Sequence, residues 1–303
     1  MATTMQIQYH RMEINMKKIL NIILTFALLH IPFFAQQTSP YDSEVVFNFA
    51  QSLYEDGFWD EAESEFKKSL FLSDAINQNE YSFIQEQSIF TLTTIYNQND
   101  DKTGIQWLEK NFSENLSLDI KEKVDFTNAR LIFKERNQEE YFSFIDSIST
   151  DLEEYAPSFQ LLTVISKDLF LYNISDAGIK ANEALHEYAQ FEKFAKACTS
   201  YSQKNVALAT TLSILIPGAG KWYTGNFSSF LSSFLSITSF IGGTLYTGIE
   251  SNWKDWRPYV FGTCALGLYI TDIYGSYKAA KRYNDAQYRN LCQSLDLVYE
   301  ESF

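Results

Sequence analysis

From residue 41 to about residue 201, apolar residues recur three and four positions apart, with few glycines and Pro157 as the one interior proline. That spacing predicts a succession of amphipathic helices. Beyond residue 205 the period gives way to long uncharged stretches. Residues 206–216 are apolar but fall short of the roughly 20 residues that cross a hydrocarbon core. Extended to Trp222 and Tyr223 they make a crossing broken near one interface by Pro217 and Gly218, and a re-entrant, half-inserted segment is the alternative. Residues 227–249 run for 23 positions without a charge, long enough to span with tilt. Residues 259–274 form a third apolar segment, in which Gly262 and Gly267 allow close packing and Asp272 is the one acidic group. Its nearness to Lys278 places Asp272 at the membrane interface.

The helical part repeats. Phe49, Ala50 and Leu53 share one helix, Gly57 makes a turn, and Trp59, Ala62, Phe66 and Ser69 follow on a second. These positions resemble the tetratricopeptide repeat, in which a small residue lets two helices approach, a glycine closes the turn, and an aromatic then an alanine seat the second helix. The resemblance implies repeat packing and turn roles for Ala50, Gly57, Trp59, Ala62 and Phe66. Weaker units follow, with turns near residues 99, 137 and 173, leading to Gly104 and Leu108, to Phe142, and to Ala177 and Ala181. The turn spacings of 42, 38 and 36 residues sit just above the roughly 34-residue period of that repeat. The aromatics Phe58, Trp59, Trp107, Tyr141 and Tyr155 are expected mostly in the core.

The expected architecture is all-α: a tetratricopeptide-like helical hairpin array over 36–204, followed by a membrane domain over 205–285 and a C-terminal tail over 286–303. The membrane domain is either a helical transmembrane hairpin or a three-helix unit. Lys278, Lys281, Arg282 and Arg289 form a basic flank that favours a cytoplasmic C-terminus and three crossings. Lys193, Lys196 and Lys204, which three crossings would leave outside, keep open a two-crossing hairpin with both flanks outside. At the other end, Lys17 and Lys18, the apolar run 19–34 and Ala35 have the form of a signal peptide starting at Met16, with 1–15 as an upstream extension. Export from a bacterial cytoplasm follows. Without small residues throughout the cleavage site, an uncleaved anchor stays open.

Charge separates the two parts. Residues 36–200 hold 30 acidic and 13 basic side chains, net −17, whereas 201–303 hold 7 and 8, net +1. A net negative helical part excludes a nucleic-acid partner, which would need a basic face. Cys198, Cys264 and Cys292 have no metal-site spacing, Cys264 being read as a packing residue and Cys198 with Cys292 as a pair only in an oxidising compartment. Residues 218–221 fail as a phosphate loop, since Leu215 stands where its first glycine belongs and Trp222 where a Ser or Thr would hold magnesium. His186 and Glu187 lack the second histidine of a zinc-protease helix, Gln190 occupying its place. Glu139, Glu140, Glu153 and Glu154 read as solvated surface. The chain is therefore expected to be no enzyme and to take no cofactor or metal.

Along residues 227–249, Ser228, Ser232, Ser236, Ser239 and Gly243 fall at helical spacing and make a narrow small-residue stripe. Such a stripe packs onto the neighbouring helix, pairs with another copy of the chain or lines a polar pathway. The motif Pro217-Gly218-x-Gly220-Lys221-x-Tyr223-x-Gly225, the serine-rich helix, the Trp253 and Trp256 linker and the final apolar helix resemble a small membrane domain of bacterial envelope proteins. In that family a PGxGQxYxG motif often follows a signal peptide and tetratricopeptide-like repeats, and Lys221 stands where glutamine is usual. The resemblance implies an envelope protein, of a family sometimes linked to membrane-protein biogenesis; with the signal-like segment and the apolar segments it leads to the expectation of a bacterial inner-membrane protein in contact with the lipid bilayer, its repeats in the periplasm. Its expected function is a scaffold whose repeats bind a protein or peptide partner. The alternative is a membrane-biogenesis factor or small-solute pathway acting through the membrane helices.

Overall fold

Asp42 accepts a hydrogen bond from the Glu44 amide (3.0 Å) and so opens helix α1 (Ser43–Glu55). That helix ends in a tight reversal where Gly57 takes φ +83° and the Phe58 amide reaches back to the Leu53 carbonyl (2.9 Å), leading into α2 (Trp59–Ile76). This computed structural model describes residues 42–76, 82–112 and 116–302, and every regular element among them is helical. The expected upstream extension and signal segment, 1–35, lie outside the described residues. The chain divides into two compact units, Met1–Ser88 and Ile89–Phe303.

In the first unit Ala50, Ala62 and Phe66 are fully buried, the Phe47 ring meets Phe66 edge-on at 5.8 Å, and Ser69 donates to the Ser43 carbonyl (3.0 Å). Small residues on both helices thus let the hairpin close. Trp59 departs from expectation. It is 41% exposed, and Phe49 and Phe58 are also at the surface. As the first residue of α2, Trp59 precedes the turn on which Ala62 and Phe66 meet α1.

The second unit begins within α3 (Ser82–Asn99) and continues through α4 (Lys102–Phe112), α5 (Leu118–Glu135), α6 (Gln138–Ser147), α7 (Ser149–Leu152), α8 (Pro157–Phe170), α9 (Ile174–Ala184) and α10 (Glu192–Ser200). Three reversals reuse the device at Gly57 without glycine: Asp100, Arg136 and Tyr172 all have φ between 53° and 61°. The amides of Asp101 and Asn173 each bond five residues back, to Tyr96 and Asp168. The turns therefore fall within one residue of the expected positions. Tyr141 and Tyr155 are buried in an aromatic core with Phe126, Phe133, Phe159 and Phe170, as expected, and Trp107 is half-buried.

Four helices follow: α11 (Val206–Leu215), α12 (Ala219–Tyr223), α13 (Phe227–Ser251) and α14 (Arg257–Ser302). The 46 residues of α14 span about 70 Å at 1.5 Å per residue. Its first half lies against α13. Its last turns enter the aromatic core, where Leu291, Leu295, Val298 and Tyr299 are buried. Residues 286–302 are thus the end of a packed helix rather than the expected tail, and 89–200 and 205–302 belong to one unit. The reason is local: these four apolar side chains recur at helical spacing within a polar stretch and fill the space between α5, α6 and α8.

Polar contacts fix the insertion. Buried Arg130 on α5 donates from Nε to Asp296 (2.9 Å) and from one terminal nitrogen to the Asn97 carbonyl (2.9 Å) and side chain (2.8 Å), while the other pairs with Glu300. The Tyr299 hydroxyl lies 3.1 Å from that of Tyr141 and 2.9 Å from Ser166 Oγ. Burial pushes the Tyr299 phenol up to about 12 and raises that of Tyr141, so both hydroxyls stay neutral hydrogen-bonding groups.

Candidate functional site

Two charges stand alone in apolar sequence, Lys221 within 205–249 and Asp272 within 258–277. Folding brings them together. The local structure explains how. Asn205 caps α11 by accepting from the Leu208 amide (3.0 Å), and its neighbour Lys204 exchanges backbone hydrogen bonds with the Asn284 carboxamide (2.7 and 2.9 Å). From there α11 runs antiparallel to α14, with Ser213 Oγ 2.6 Å from Ser276 Oγ and the Tyr269 hydroxyl donating to the Ile214 carbonyl.

At Ile216 the chain becomes extended, and Pro217 and Gly218 reverse it. Gly218 has φ +83°, and a Cβ there would lie 2.8 Å from the Phe230 carbonyl oxygen. Helix α12 then returns beside α11, so closely that a Cβ on Gly220 would sit 2.0 Å from the Ala209 carbonyl oxygen. The Tyr223 hydroxyl closes the loop by accepting from the Asn205 amide (3.2 Å). Entry and exit of the α11–α12 reversal therefore lie beside one another. Ten residues of α11 rise only about 15 Å, too little for a crossing.

Asp272 is buried at the centre of this turn, 3% exposed, and pairs with Lys221. Its Oδ2 accepts from the Gly218 amide (2.6 Å), and its Oδ1 lies 2.7 Å from Lys221 Nζ, a charge contact rather than an aligned hydrogen bond. Lys221 also donates to Ser233 on α13 (2.6 Å), with its stem laid over Gly275. The Gly220 amide donates to Ser213 (3.0 Å). One carboxylate thus ties the turn, α12, α13 and α14 together. A buried charge of this kind is tolerable only when paired and hydrogen-bonded, and both conditions are met. The serines bond one another, a backbone amide or the lysine, so the arrangement is a charge-neutral clasp.

The expected motif residues Pro217, Gly218, Gly220 and Tyr223 all serve this clasp, while Gly225, φ +86°, turns the chain into α13. The stripe does not. Ser228, Ser232, Ser236 and Ser239 are exposed and face away from α14; only Gly243 nears it, at the Phe261 ring. Sequence reasoning missed Ser213, Ser233 and Ser276, and the detectable signal was the pair of lone opposite charges. Cys264 is exposed rather than packed. Cys198 and Cys292 are free, with burial pushing the Cys198 thiol up to about 12. The repeat residues Ala50, Gly57, Trp59, Ala62 and Phe66 belong to the Met1–Ser88 unit.

Helix α13 is long and apolar enough to cross a membrane, and few of its residues are buried. Leu231, Leu235, Ile241, Leu245 and Ile249 on α13, and Val260, Leu266 and Ile270 on α14, are exposed. Exposed aromatics gather at both ends: Trp222, Phe227, Tyr274 and Tyr277 near the clasp, and Tyr246, Trp253, Trp256 and Tyr259 at the α13–α14 turn. No protein-family model, curated protein or solved structure matches this chain.

Proposed function

We propose that the chain is a membrane-anchored scaffold, its hairpin α13–α14 fixing a tetratricopeptide-like helical domain at a bilayer surface, where that domain binds a protein or peptide partner. One observation carries the reading: α14 is continuous from an uncovered apolar surface to the core of the helical domain. Apolar side chains left outside a folded chain in this number mark contact with lipid or partner. Tyr259 and Tyr277 stand about 27 Å apart along α14 at 1.5 Å per residue, close to a hydrocarbon thickness of about 30 Å with aromatics at its borders. The anchor is then a two-crossing hairpin with α11 and α12 half-inserted. The exposed stripe of Ser228, Ser232, Ser236 and Ser239 supports pairing with another copy.

The signal-like residues 17–35 support a bacterial inner-membrane location with the helical domain in the periplasm. The cationic side chains favour the reverse orientation: Lys193, Lys196, Lys204, Lys278, Lys281, Arg282 and Arg289 lie on the helical-domain side, against Lys254 and Arg257 at the hairpin tip. The clasp favours a second reading of function, in which the membrane helices themselves act in biogenesis or solute passage. A chimera separates the two. Residues 227–277 are replaced by an unrelated transmembrane hairpin of equal length, keeping 278–302 to complete the core. Retained partner crosslinking and rescue of a deletion phenotype support the scaffold; loss of rescue with the helical domain folded supports the membrane-active reading.

A further inference from the structure

The helical domain contains a cavity of about 200 Å³ whose walls combine apolar surface from Leu108, Val124 and Ile148 with Glu109, Asp125, Lys121 and Asp151. Its charges do not balance. Lys121, the one cation of the lining, is held by Asp151 at 2.6 Å. Glu109, on α4, accepts only a neutral carboxamide hydrogen bond, from Asn128 (2.9 Å). Asp125, on α5, is 4% exposed, and its Oδ2 accepts from the neutral Tyr155 hydroxyl. Burial pushes the Asp125 carboxyl up to about 6, helped by the charges of Glu109 and Asp151 and opposed by the Tyr155 hydrogen bond and Lys121. Burial also raises the Glu109 carboxyl. Two carboxyl groups on facing helices thus meet at the cavity, with the one cation of its lining already held by Asp151, an imbalance that a bound cation would relieve.

We propose that this cavity receives a primary alkylammonium group, its head between the Asp125 and Glu109 carboxylates and its methylene stem along Leu108, Val124 and Ile148. An ammonium head carries three freely directed donors and can serve acceptors on two separate helices, whereas a guanidinium fork suits a single planar carboxylate. The apolar walls match a hydrocarbon stem and give nothing to a hydrated metal ion. A hard cation also needs six or more converging oxygens, and among the described residues no three acidic, His or Cys side chains come together in that way. The chemistry has two sources, a free aliphatic amine or the lysine side chain of a peptide. The peptide source alone rests on the scaffold reading.

The test is calorimetric titration of the full chain in detergent with pentylammonium, with pentanol, and with blocked tripeptides carrying lysine or norleucine at the centre. Pentylammonium is expected to bind and pentanol not to. Asp125→Asn and Glu109→Gln should each weaken binding by about tenfold or more, the scale of a lost charged hydrogen bond. Circular dichroism identifies any variant that fails to fold, and the pentanol comparison on the unaltered chain stands without variants. Equal binding of pentanol, no binding of either ammonium probe, or folded variants with unchanged affinity overturns the proposal. Binding of the lysine tripeptide and not its norleucine analogue assigns the cavity to a peptide partner. Binding of pentylammonium alone makes it a small-amine site and leaves partner crosslinking as the separate test of the scaffold.

Discussion

The hydroxyls of Tyr141 and Tyr299 lie 3.1 Å apart across 158 residues of chain, joining α6 to the last turns of α14. Tyr299 is completely buried, against the rings of Phe126 and Phe133 at 5.3 and 5.9 Å. The helix that packs along α13 in its first half is thereby also a core helix of the helical domain. Tyr299→Ala should destabilise the helical domain by about 3–5 kcal/mol through lost burial and a residual cavity. Tyr299→Phe, which loses only the hydroxyl, should cost about 1–2 kcal/mol. Denaturant unfolding with hydrogen exchange on α5 and α8 measures both, and a tail-like α14 end would leave those helices' protection unchanged in either variant.

Lys221 and Asp272 should behave as one unit. Lys221→Met or Asp272→Asn alone leaves a buried charge without its counter-charge, a change that costs about 3–5 kcal/mol in comparable buried pairs. The double variant should cost clearly less than the sum of the two. Thermal unfolding in detergent supplies the cycle; strict additivity would mean the two charges do not interact.

Glycine is required at residue 220 and not at residue 242. A methyl at Gly220 would collide with the Ala209 carbonyl and Ser276, whereas nothing lies within 4 Å of one at Gly242. Gly220→Ala should therefore destabilise by about 1–3 kcal/mol or more through overpacking. Gly242→Ala should be neutral or stabilising by about 0.5–1 kcal/mol, since alanine loses less backbone freedom in a helix. The order of the two melting temperatures is the readout.

How much of this was readable in advance differs by feature. The reversals at Gly57, Asp100, Arg136 and Tyr172 were legible because a left-handed residue needs a local break in the apolar period, and polar or glycine residues mark each one. The pairing of Asp272 was not legible because its partner Lys221 lies 51 positions earlier in the chain. Only the reversal at Pro217 and Gly218 brings them together, and sequence proximity pointed instead to Lys278. The end of α14 was read as a tail although Leu291, Leu295 and Val298 already traced one face, because the residues they pack against and bond, on α5, α6 and α8, lie far earlier in the chain. The cavity beside Asp125 depends on side chains from several helices, which no periodicity reveals.

The helical domain should lose stability as pH rises through the titration of Asp125. Its carboxyl is raised from 3.8 to about 6 in the folded chain, so between those values the folded state holds more protons than the unfolded one. The protonated form's advantage is full below about pH 4 and is lost above about pH 6, amounting to about 3 kcal/mol at 1.36 kcal/mol per unit. Asp125→Asn should remove that slope and be the more stable protein at pH 7.5. Urea unfolding from pH 4 to 7.5 compares the two chains, and parallel profiles would contradict the assignment.

The hairpin anchor is tested most directly by the side from which three positions can be labelled. Single cysteines replace Glu187, Asn252 and Glu301 in a chain cleared of Cys198, Cys264 and Cys292, and spheroplasts meet a membrane-impermeant maleimide before and after permeabilisation. The two-crossing, exported reading predicts that 187 and 301 react in intact spheroplasts and 252 only after permeabilisation. The opposite pattern, with 252 alone reactive, would keep the hairpin and reverse its orientation. Separation of 187 from 301, or reaction of all three from one side, would contradict the anchor itself.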